Sequence, residues 1–354
     1  MTVRVSRSSP TPLFVYNAAV MLPVVSILLP ARNAADTLPA CLRSIGRQTF
    51  ADWECVVVDD GSTDDTGAIA AQAARHDPRV RLHATPPGGL VAALRDGLAL
   101  CRGRYVARMD ADDVMHRERL RLQVGALAED PGLAGVGTHV RFFPRRQLSG
   151  GLRDYERWLN AIDTPEAVAA DAFVECPLAH PTLLLHRDVL TNAGYRDVGW
   201  PEDYDLLLRL LGAGHRLGVV PRRLHGWRDG PRRLTRTHPR YDLARITECK
   251  AAFLSASFLA TTDQYVLWGY GGTGRALARA LATHGKHPSH VIELHPGRLG
   301  NRIRDAPVLP PEALRDLRGR PLVASVAGAA PRAEIRAFLD QLGWRETVDY
   351  LCAA

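Results

Sequence analysis

Three short acidic segments hold the side chains of this 354-residue sequence with the clearest capacity for chemistry. They are Asp59-Asp60-Gly61-Ser62, Asp110-Ala111-Asp112-Asp113 and Glu202-Asp203-Tyr204-Asp205. The second packs three carboxylates into four residues, and like charges so close together cost free energy unless a cation lies among them. Carboxylate oxygens are hard ligands of the kind that Mg²⁺ and Mn²⁺ prefer. The second segment therefore predicts a divalent metal site, with a solvated acidic turn as the alternative for such a segment taken alone.

The residues that precede each acidic segment indicate where it lies in the fold. Apolar runs from Glu54 to Val58 and from Tyr105 to Met109 lead into the first two segments, as expected for buried parallel strands. The carboxyl ends of such strands are where α/β sheets open into binding sites. The third segment opens a helix instead. Acidic residues in a first turn are favoured by the helix dipole, so capping alone would explain it.

Strands and helices alternate through the first third of the chain. The patterns predict strands near 24–29, 54–60, 80–83 and 105–109, and helices near 36–48, 64–75 and 90–101. Such alternation is typical of a parallel α/β sheet with helices on both faces. Further along we predict helices near 117–129, from 203 and over 241–260, and strands near 135–142 and 182–186.

In this order and at this spacing, the motifs resemble those of the family 2 glycosyltransferases with the GT-A fold. The resemblance covers about residues 23 to 245 and rests on Val25-Ser26-Ile27-Leu28-Leu29-Pro30-Ala31-Arg32-Asn33, Gln48-Thr49-Phe50, Val58-Asp59-Asp60-Gly61-Ser62-Thr63-Asp64-Asp65-Thr66, Gly103-Arg104-Tyr105, Asp110-Ala111-Asp112-Asp113 and Glu202-Asp203-Tyr204-Asp205-Leu206. It implies an α/β nucleotide-diphospho-sugar transferase domain, built on a mostly parallel sheet with flanking helices. It also implies an inverting, metal-dependent enzyme that moves a sugar from a nucleotide-diphosphate donor, expected to be a UDP-sugar, to a hydroxyl acceptor in glycan or surface polysaccharide synthesis.

The resemblance also implies roles for individual residues. The donor nucleotide would contact Pro30, Ala31, Asn33, Asp60 and Asp110, with Asp60 accepting an N–H of the base. Asp112 and Asp113 would hold Mn²⁺ or Mg²⁺ at the donor diphosphate. Asp203 would be the catalytic base that removes the proton of the acceptor hydroxyl.

A second set of residues has weaker support as contacts to the acceptor or the diphosphate. The set contains His180, Glu202, Arg232 and Arg233. His180 lies in the segment Pro177-Leu178-Ala179-His180-Pro181, which resembles the acceptor-side segment of many relatives, and a structural histidine is the alternative. The two arginines belong to a run over 222–240 with seven arginines, at 222, 223, 228, 232, 233, 236 and 240. This run predicts either a solvated face or a flexible lid that grips an anion.

A glycine-rich segment begins a second α/β unit near the C-terminus. Gly269, Gly271 and Gly274 follow an apolar strand and open a helix, and Glu293 follows the next strand, as in a dinucleotide fingerprint. We expect a smaller Rossmann-like accessory domain that retains the fold without a ligand, with NAD or another nucleotide as the less favoured alternative. The predicted division is an N-terminal extension over 1–21, the transferase domain over 22–245, a connecting helix and hinge over 246–262, and the accessory domain over 263–354.

Composition limits the class of protein. With 46% hydrophobic and 23% charged residues, the chain has the composition of an ordinary globular protein. Its six cysteines include no C-x-x-C pair, which argues against a zinc module or a disulfide scaffold and favours a reducing compartment. The net charge of +7 comes from arginines spread along the chain, so we expect no nucleic-acid partner.

The expected partners are a nucleotide-sugar donor and a glycan or lipid-linked acceptor, and the oligomeric state stays open. We expect a cytoplasmic protein without a transmembrane segment, because the apolar stretch from Leu13 to Ala31 is broken by Asn17, Pro23 and Pro30. Peripheral contact with the inner membrane surface is compatible with this expectation.

Two other activities remain as alternatives. A sugar-phosphate nucleotidyltransferase also uses paired acids and Mg²⁺, but the segment from Pro30 to Asn33 lacks its usual glycine-rich loop with a lysine. A nicotinamide-dependent oxidoreductase would centre on the segment from Gly269 to Gly274, yet no acid or base for hydride transfer stands out there.

Overall fold

The computed structural model describes residues 22–231 and 233–354. The predicted N-terminal extension over 1–21 and the predicted role of Arg232 therefore concern residues outside this description. None of the helices within the described ranges is long and apolar enough to cross a bilayer.

An eight-stranded sheet forms the larger part of the molecule. Its strands are β1 (Val25–Ala31), β2 (Trp53–Asp60), β3 (Val80–Thr85), β4 (Tyr105–Arg108), β5 (Val114–Met115), β6 (Leu133–Phe143), β7 (Leu184–His186) and β8 (Arg216–Arg228). They lie in the order β3-β2-β1-β4-β7-β6-β8-β5. The half formed by β3, β2, β1 and β4 is parallel, as the alternation of patterns predicts, and β7 pairs antiparallel with β4 and β6.

Helices cover both faces of this sheet, and each face has its own hydrophobic core. The helices before the second sheet are α1 (Leu38–Gly46), α2 (Thr66–His76), α3 (Leu90–Leu100), α4 (Arg119–Glu129), α5 (Gly150–Leu159), α6 (Pro165–Asp171), α7 (Arg187–Ala193), α8 (Glu202–Gly212), α9 (Leu234–Thr237) and α10 (Leu243–Ala256). Leu28 of β1 packs in one core, whereas Ile27 and Leu29 pack in the other. Burial on both faces explains why these strands read as continuous apolar runs.

A second, six-stranded sheet begins at Gln264. Its strands are β9 (Gln264–Trp268), β10 (His287–Ile292), β11 (Arg302–Ile303), β12 (Ala306–Leu309), β13 (Leu322–Ala324) and β14 (Tyr350–Cys352), with α11 (Gly272–Ala282) and α12 (Ala329–Gln341) packed beside them. The order is β11-β12-β10-β9-β13-β14, and every pair except β11 with β12 is parallel. Strand order therefore reverses beside β9, as in a Rossmann-like sheet. A separate accessory domain over 263–354 stays a prediction.

Polar contacts connect helices beside the first sheet with residues of the second α/β unit. Lys250, on α10, donates from Nζ to the carbonyl oxygen of Val174 at 2.7 Å and to that of Ala353 at 3.1 Å. Arg336, on α12, pairs with Asp171, at the end of α6, at 2.5 Å. The predicted helix over 241–260 is found as the shorter α10, which ends at Ala256.

The arginine-rich run over 222–240 is not a single flexible lid in this fold. Residues 222–228 belong to β8, which pairs with β6 along almost its whole length. This strand escaped detection because its arginines interrupt the apolar pattern. Among the described residues after Arg228, Leu234–Thr237 form α9 and Pro239–Tyr241 form a short 3₁₀ turn, so the lid hypothesis now concerns only the part after β8.

Candidate active site

Three carboxylates converge where β4 ends. Asp110, Asp112 and Asp113 each offer an oxygen, and these oxygens all lie within 4.8 Å of one another. A turn brings them together, in which the N–H of Asp113 donates to the carbonyl oxygen of Asp110 at 3.3 Å. Burial, followed by the charges of Asp113 and Asp110, raises the pKa of Asp112 to about 7. The negative charge of Asp112 therefore costs free energy at this position, and a bound divalent cation would offset that cost. The three carboxylates fit Mn²⁺ or Mg²⁺.

Asp113 is the most buried of the three carboxylates, with 1% of its surface exposed. Its Oδ2 lies 2.8 Å from Nε2 of His225, and its Oδ1 accepts the N–H of Arg228 at 2.7 Å. Nη1 of Arg119 lies 3.3 Å from the other ring nitrogen of His225. Because arginine only donates, this network assigns the His225 proton to Nε2, which donates to Asp113. Sequence reasoning missed His225, which lies on β8 far along the chain.

Burial, and next the Arg119 charge, hold the pKa of His225 well below its ordinary value. The imidazole is therefore neutral and fixes the orientation of Asp113 without adding a charge. Asp113 thus ties β8 to the acidic turn, while Asp110 and Asp112 are less buried. Its predicted role as a metal ligand stays a prediction.

Asp60 lies at the end of β2 and is already engaged by the protein. Its Oδ1 accepts the N–H of Gly88 at 2.6 Å and the N–H of Gly89 at 3.1 Å. Nη1 of Arg32 donates to Oδ2 at 3.3 Å. The carboxylate therefore orders the loop after β3, a role the sequence did not indicate. Recognition of a nucleotide base by Asp60 stays a prediction.

The other predicted donor contacts lie beside Asp60 at the same edge of the sheet. Pro30 and Ala31 are the last residues of β1, which lies between β2 and β4. Asn33 follows with a positive φ of 49°, a conformation that asparagine tolerates well. Its Oδ1 accepts the N–H of Thr63 at 2.9 Å. The fold thus brings the ends of β1, β2 and β4 to one edge, as predicted.

The first turn of α8 presents Asp203 as the candidate base. Burial, and next the charge of Glu202, raise the pKa of Asp203 to about 7. The N–H of Tyr204 donates to Oδ1 of Asp203 at 2.8 Å. A carboxylate with this pKa can accept a proton efficiently near neutral pH.

The two neighbouring acids have protein partners. Glu202 is 2% exposed and accepts the Tyr241 hydroxyl at 2.9 and 2.8 Å through its two oxygens. Asp205 pairs with Arg196 at 2.6 Å and with Arg209 at 2.7 Å. Asp205 therefore stabilises the local fold, and Glu202 holds the turn before α10.

His180 and Arg233 occupy different surroundings. His180 is buried, and its Nε2 lies 3.1 Å from the Tyr195 hydroxyl oxygen. Burial and the Arg108 charge hold its pKa well below the ordinary value, so it is neutral. The Arg233 guanidinium lies 4.6 Å from the ring centre of Trp227. Acceptor or diphosphate contacts by these residues, and by Glu202, stay predictions.

In the second sheet, two of the three fingerprint glycines are required by the fold itself. Gly269 has a positive φ of 91°, and a Cβ on Gly274 would lie 2.0 Å from the carbonyl oxygen of Gly269. Gly271 has open space around it. Glu293 accepts the N–H of Tyr270 at 2.8 Å and pairs with Arg298 at 2.9 Å. The loop has the fingerprint geometry, and nucleotide binding there remains untested.

Comparison with known proteins establishes the family. The family model described as glycosyl transferase family 2 matches residues 26–191. The putative glycosyltransferase EpsE of Bacillus subtilis is 32% identical over 200 residues, which cover 55% of this chain and 69% of EpsE. This chain belongs to glycosyl transferase family 2. Chondroitin synthase of Escherichia coli is 36% identical over 124 residues, 35% of this chain but only 18% of that protein.

Two solved structures show a similar fold. TarS of S. aureus, solved with UDP, aligns with a TM-score of 0.52 at 18% identity over 73% of this chain and 71% of that chain. The mannosyltransferase PcManGT of Pyrobaculum calidifontis, solved with GDP-Man and Mn²⁺, also aligns with a TM-score of 0.52, at 19% identity over 92% of this chain and 81% of that chain. The predicted family 2 glycosyltransferase with a GT-A-like fold is thus confirmed.

Proposed function

We propose that this glycosyltransferase moves a sugar from a UDP-sugar to a hydroxyl group of a growing glycan, with inversion at the anomeric carbon and with Mn²⁺ or Mg²⁺ as cofactor. The observation that carries the proposal is the convergence of Asp110, Asp112 and Asp113 at the end of β4, beside the end of β1. Diphosphate donors need a counter-charge at such a position, and the three acids supply ligands for it.

Asp112 and Asp110 are the residues proposed to hold the ion, together with Asp113. A bound divalent ion would neutralise the negative charge that develops on the departing diphosphate. Pro30, Ala31, Asn33 and Asp60 are proposed to contact the nucleotide, because they lie at the adjoining strand ends. The Mn²⁺ in the PcManGT complex supports a metal requirement.

Asp203 is proposed as the base. Its carboxylate takes the proton of the acceptor hydroxyl while that oxygen bonds to the anomeric carbon and the bond to the diphosphate breaks. One such displacement inverts the anomeric configuration. The pKa of Asp203, raised to about 7 by burial and the Glu202 charge, supports this role because a base is most effective when its pKa lies near the working pH.

The nucleotide and acceptor classes rest on the relatives. TarS was solved with UDP and PcManGT with GDP-Man, so the two structures leave both nucleotides open. Uridine is proposed here ahead of guanosine because Asp60 is expected to pair with the imide N–H of uracil. The name of the chondroitin synthase relative supports a role in polysaccharide synthesis. A glycan or lipid-linked acceptor and a location in the cytoplasm, compatible with contact at the inner membrane surface, are proposed with it. The unit over 263–354 is proposed as an accessory domain, with NAD or another nucleotide as a ligand still to be tested.

Hydrolysis of a panel of nucleotide-sugars by the full chain tests the proposal. The panel contains UDP- and GDP-linked sugars, each with Mn²⁺, with Mg²⁺ and with EDTA. We expect release of UDP from at least one UDP-sugar, and loss of that activity with EDTA. Turnover of GDP-sugars alone would contradict uracil as the nucleobase of the donor. Turnover undiminished by EDTA would contradict the metal requirement.

A further inference from the structure

Arg108 is a buried cation at the meeting point of the candidate site. It is the last residue of β4, and 4% of its surface is exposed. Its Nη2 pairs with Oδ1 of Asp110 at 2.7 Å. The segment His180–Thr182 packs against β4, and burial, followed by the Arg108 charge, holds the pKa of His180 well below its ordinary value. Arg108 therefore lies between the acidic turn that follows β4 and the segment that contains His180.

Burying an arginine at position 108 costs free energy. Two of its nitrogens, Nε and Nη1, are buried and have no hydrogen-bond partner among residues 22–231 and 233–354. Burying a charge with unsatisfied N–H groups costs free energy, and an apolar side chain of similar length would fill the same space at lower cost. A purely structural role therefore explains Arg108 poorly, whereas the surrounding carboxylates explain its charge.

Comparison with Arg119 sharpens this distinction. Arg119 is also fully buried, but its Nε donates to Oε1 of Gln123 at 3.0 Å and its Nη2 donates to the carbonyl oxygen of Arg108 at 2.9 Å. These partners are neutral groups of the scaffold. The side chain of Arg108 instead pairs with a carboxylate of the acidic cluster.

We propose that Arg108 is a positioning residue of the transfer reaction, which orients Asp110 at the donor site through the 2.7 Å contact between Nη2 of Arg108 and Oδ1 of Asp110. The inference rests on the proposed function. If Arg108 acts through Asp110, then removing either side chain removes the same contribution. The effects of the two substitutions should then not add.

A double-mutant cycle tests this. Wild type, Arg108→Met, Asp110→Asn and the double variant are compared by kcat and KM for donor hydrolysis and by calorimetry of UDP binding with Mn²⁺. We expect Arg108→Met to lower kcat/KM by about 10- to 100-fold, as for other groups that orient a ligand residue. The double variant should lie within about twofold of Asp110→Asn alone. Arg108→Lys keeps the charge and should recover part of the loss.

Arg81→Met is the matched control, because Arg81 pairs with Glu54 at 2.9 Å and Glu54 keeps Arg102 as a second partner. It should retain wild-type kinetics. Thermal melting checks that each variant folds, and if Arg108→Met does not, Arg108→Lys and Arg108→Gln carry the cycle. If the losses of kcat/KM in the two single variants add in the double variant, or if a folded Arg108→Met variant has wild-type kinetics, the role of Arg108 is wrong while the proposed function stands. A wild-type chain that neither hydrolyses a donor nor binds UDP would overturn the proposed function and this inference together.

Discussion

The hydroxyl of Tyr241 donates to Glu202, with its oxygen 2.9 and 2.8 Å from the two carboxylate oxygens. Glu202 adjoins Asp203, so this contact ties the turn before α10 to the candidate base. Arg240 adds a longer contact to Glu202, at 3.5 Å. The end of the arginine-rich run thus contacts the first turn of α8, while Arg228, in the middle of the run at the end of β8, donates its N–H to Asp113.

Replacing Tyr241 with phenylalanine should destabilise the fold. The substitution leaves Glu202 buried without its hydroxyl donor, and such a loss typically costs about 1–3 kcal/mol. Thermal or urea unfolding measures the effect. Glu202→Gln in the same background removes the buried charge that has lost its hydroxyl donor, and it should recover part of the stability. A Tyr241→Phe variant as stable as wild type would show that the contact contributes nothing.

The three acids of α8 should differ in their effect on turnover. Asp203→Asn should lower kcat by at least about 10²-fold, since general base catalysis is typically worth 10² to 10⁴. UDP binding should stay near normal, because Asp203 is proposed to act on the acceptor. Glu202→Gln should retain more activity than Asp203→Asn. The reverse order would place the base one residue earlier.

Activity should decrease as the pH falls below about 7. The pKa of Asp203 is raised to about 7 by burial and next by the Glu202 charge, so acid converts the base to its protonated, inactive form. In this limb kcat should fall about tenfold for each pH unit. Glu202→Gln removes the second cause and should move the limb to lower pH. A pH profile flat from 5 to 8 would contradict the assignment.

Local patterns were sufficient to predict the parallel half of the sheet and the acidic turn. Apolar runs such as Val56 to Val58 lead into acids because the strand crosses the hydrophobic core and ends at the edge of the sheet, where Asp59 and Asp60 lie, although both acids are themselves buried. The partners of the acids could not be predicted in the same way. His225 reaches Asp113 across 112 residues, and nothing local to either residue indicates that β8 lies beside the turn.

The same limit applies to Arg108 and to the short helices. An arginine at the end of an apolar strand looks like an exposed terminus, and only the tertiary structure, in which the segment at His180 packs against β4, shows that Arg108 is buried. Helix α5 was missed because it begins with two glycines, which are poor helix formers, and α6 and α7 were missed because seven residues are too few to show a helical period.

The most direct test of the central claim is calorimetry of UDP binding to the full chain with and without Mn²⁺. The account predicts binding that weakens by at least about 10-fold when Mn²⁺ is chelated, and by a similar factor in Asp112→Asn, because metal and diphosphate share one site. Asp188→Asn is the control, since this acid is 87% exposed outside the site, and it should bind as wild type does. An affinity for UDP that changes neither with Mn²⁺ nor with Asp112→Asn would contradict the account.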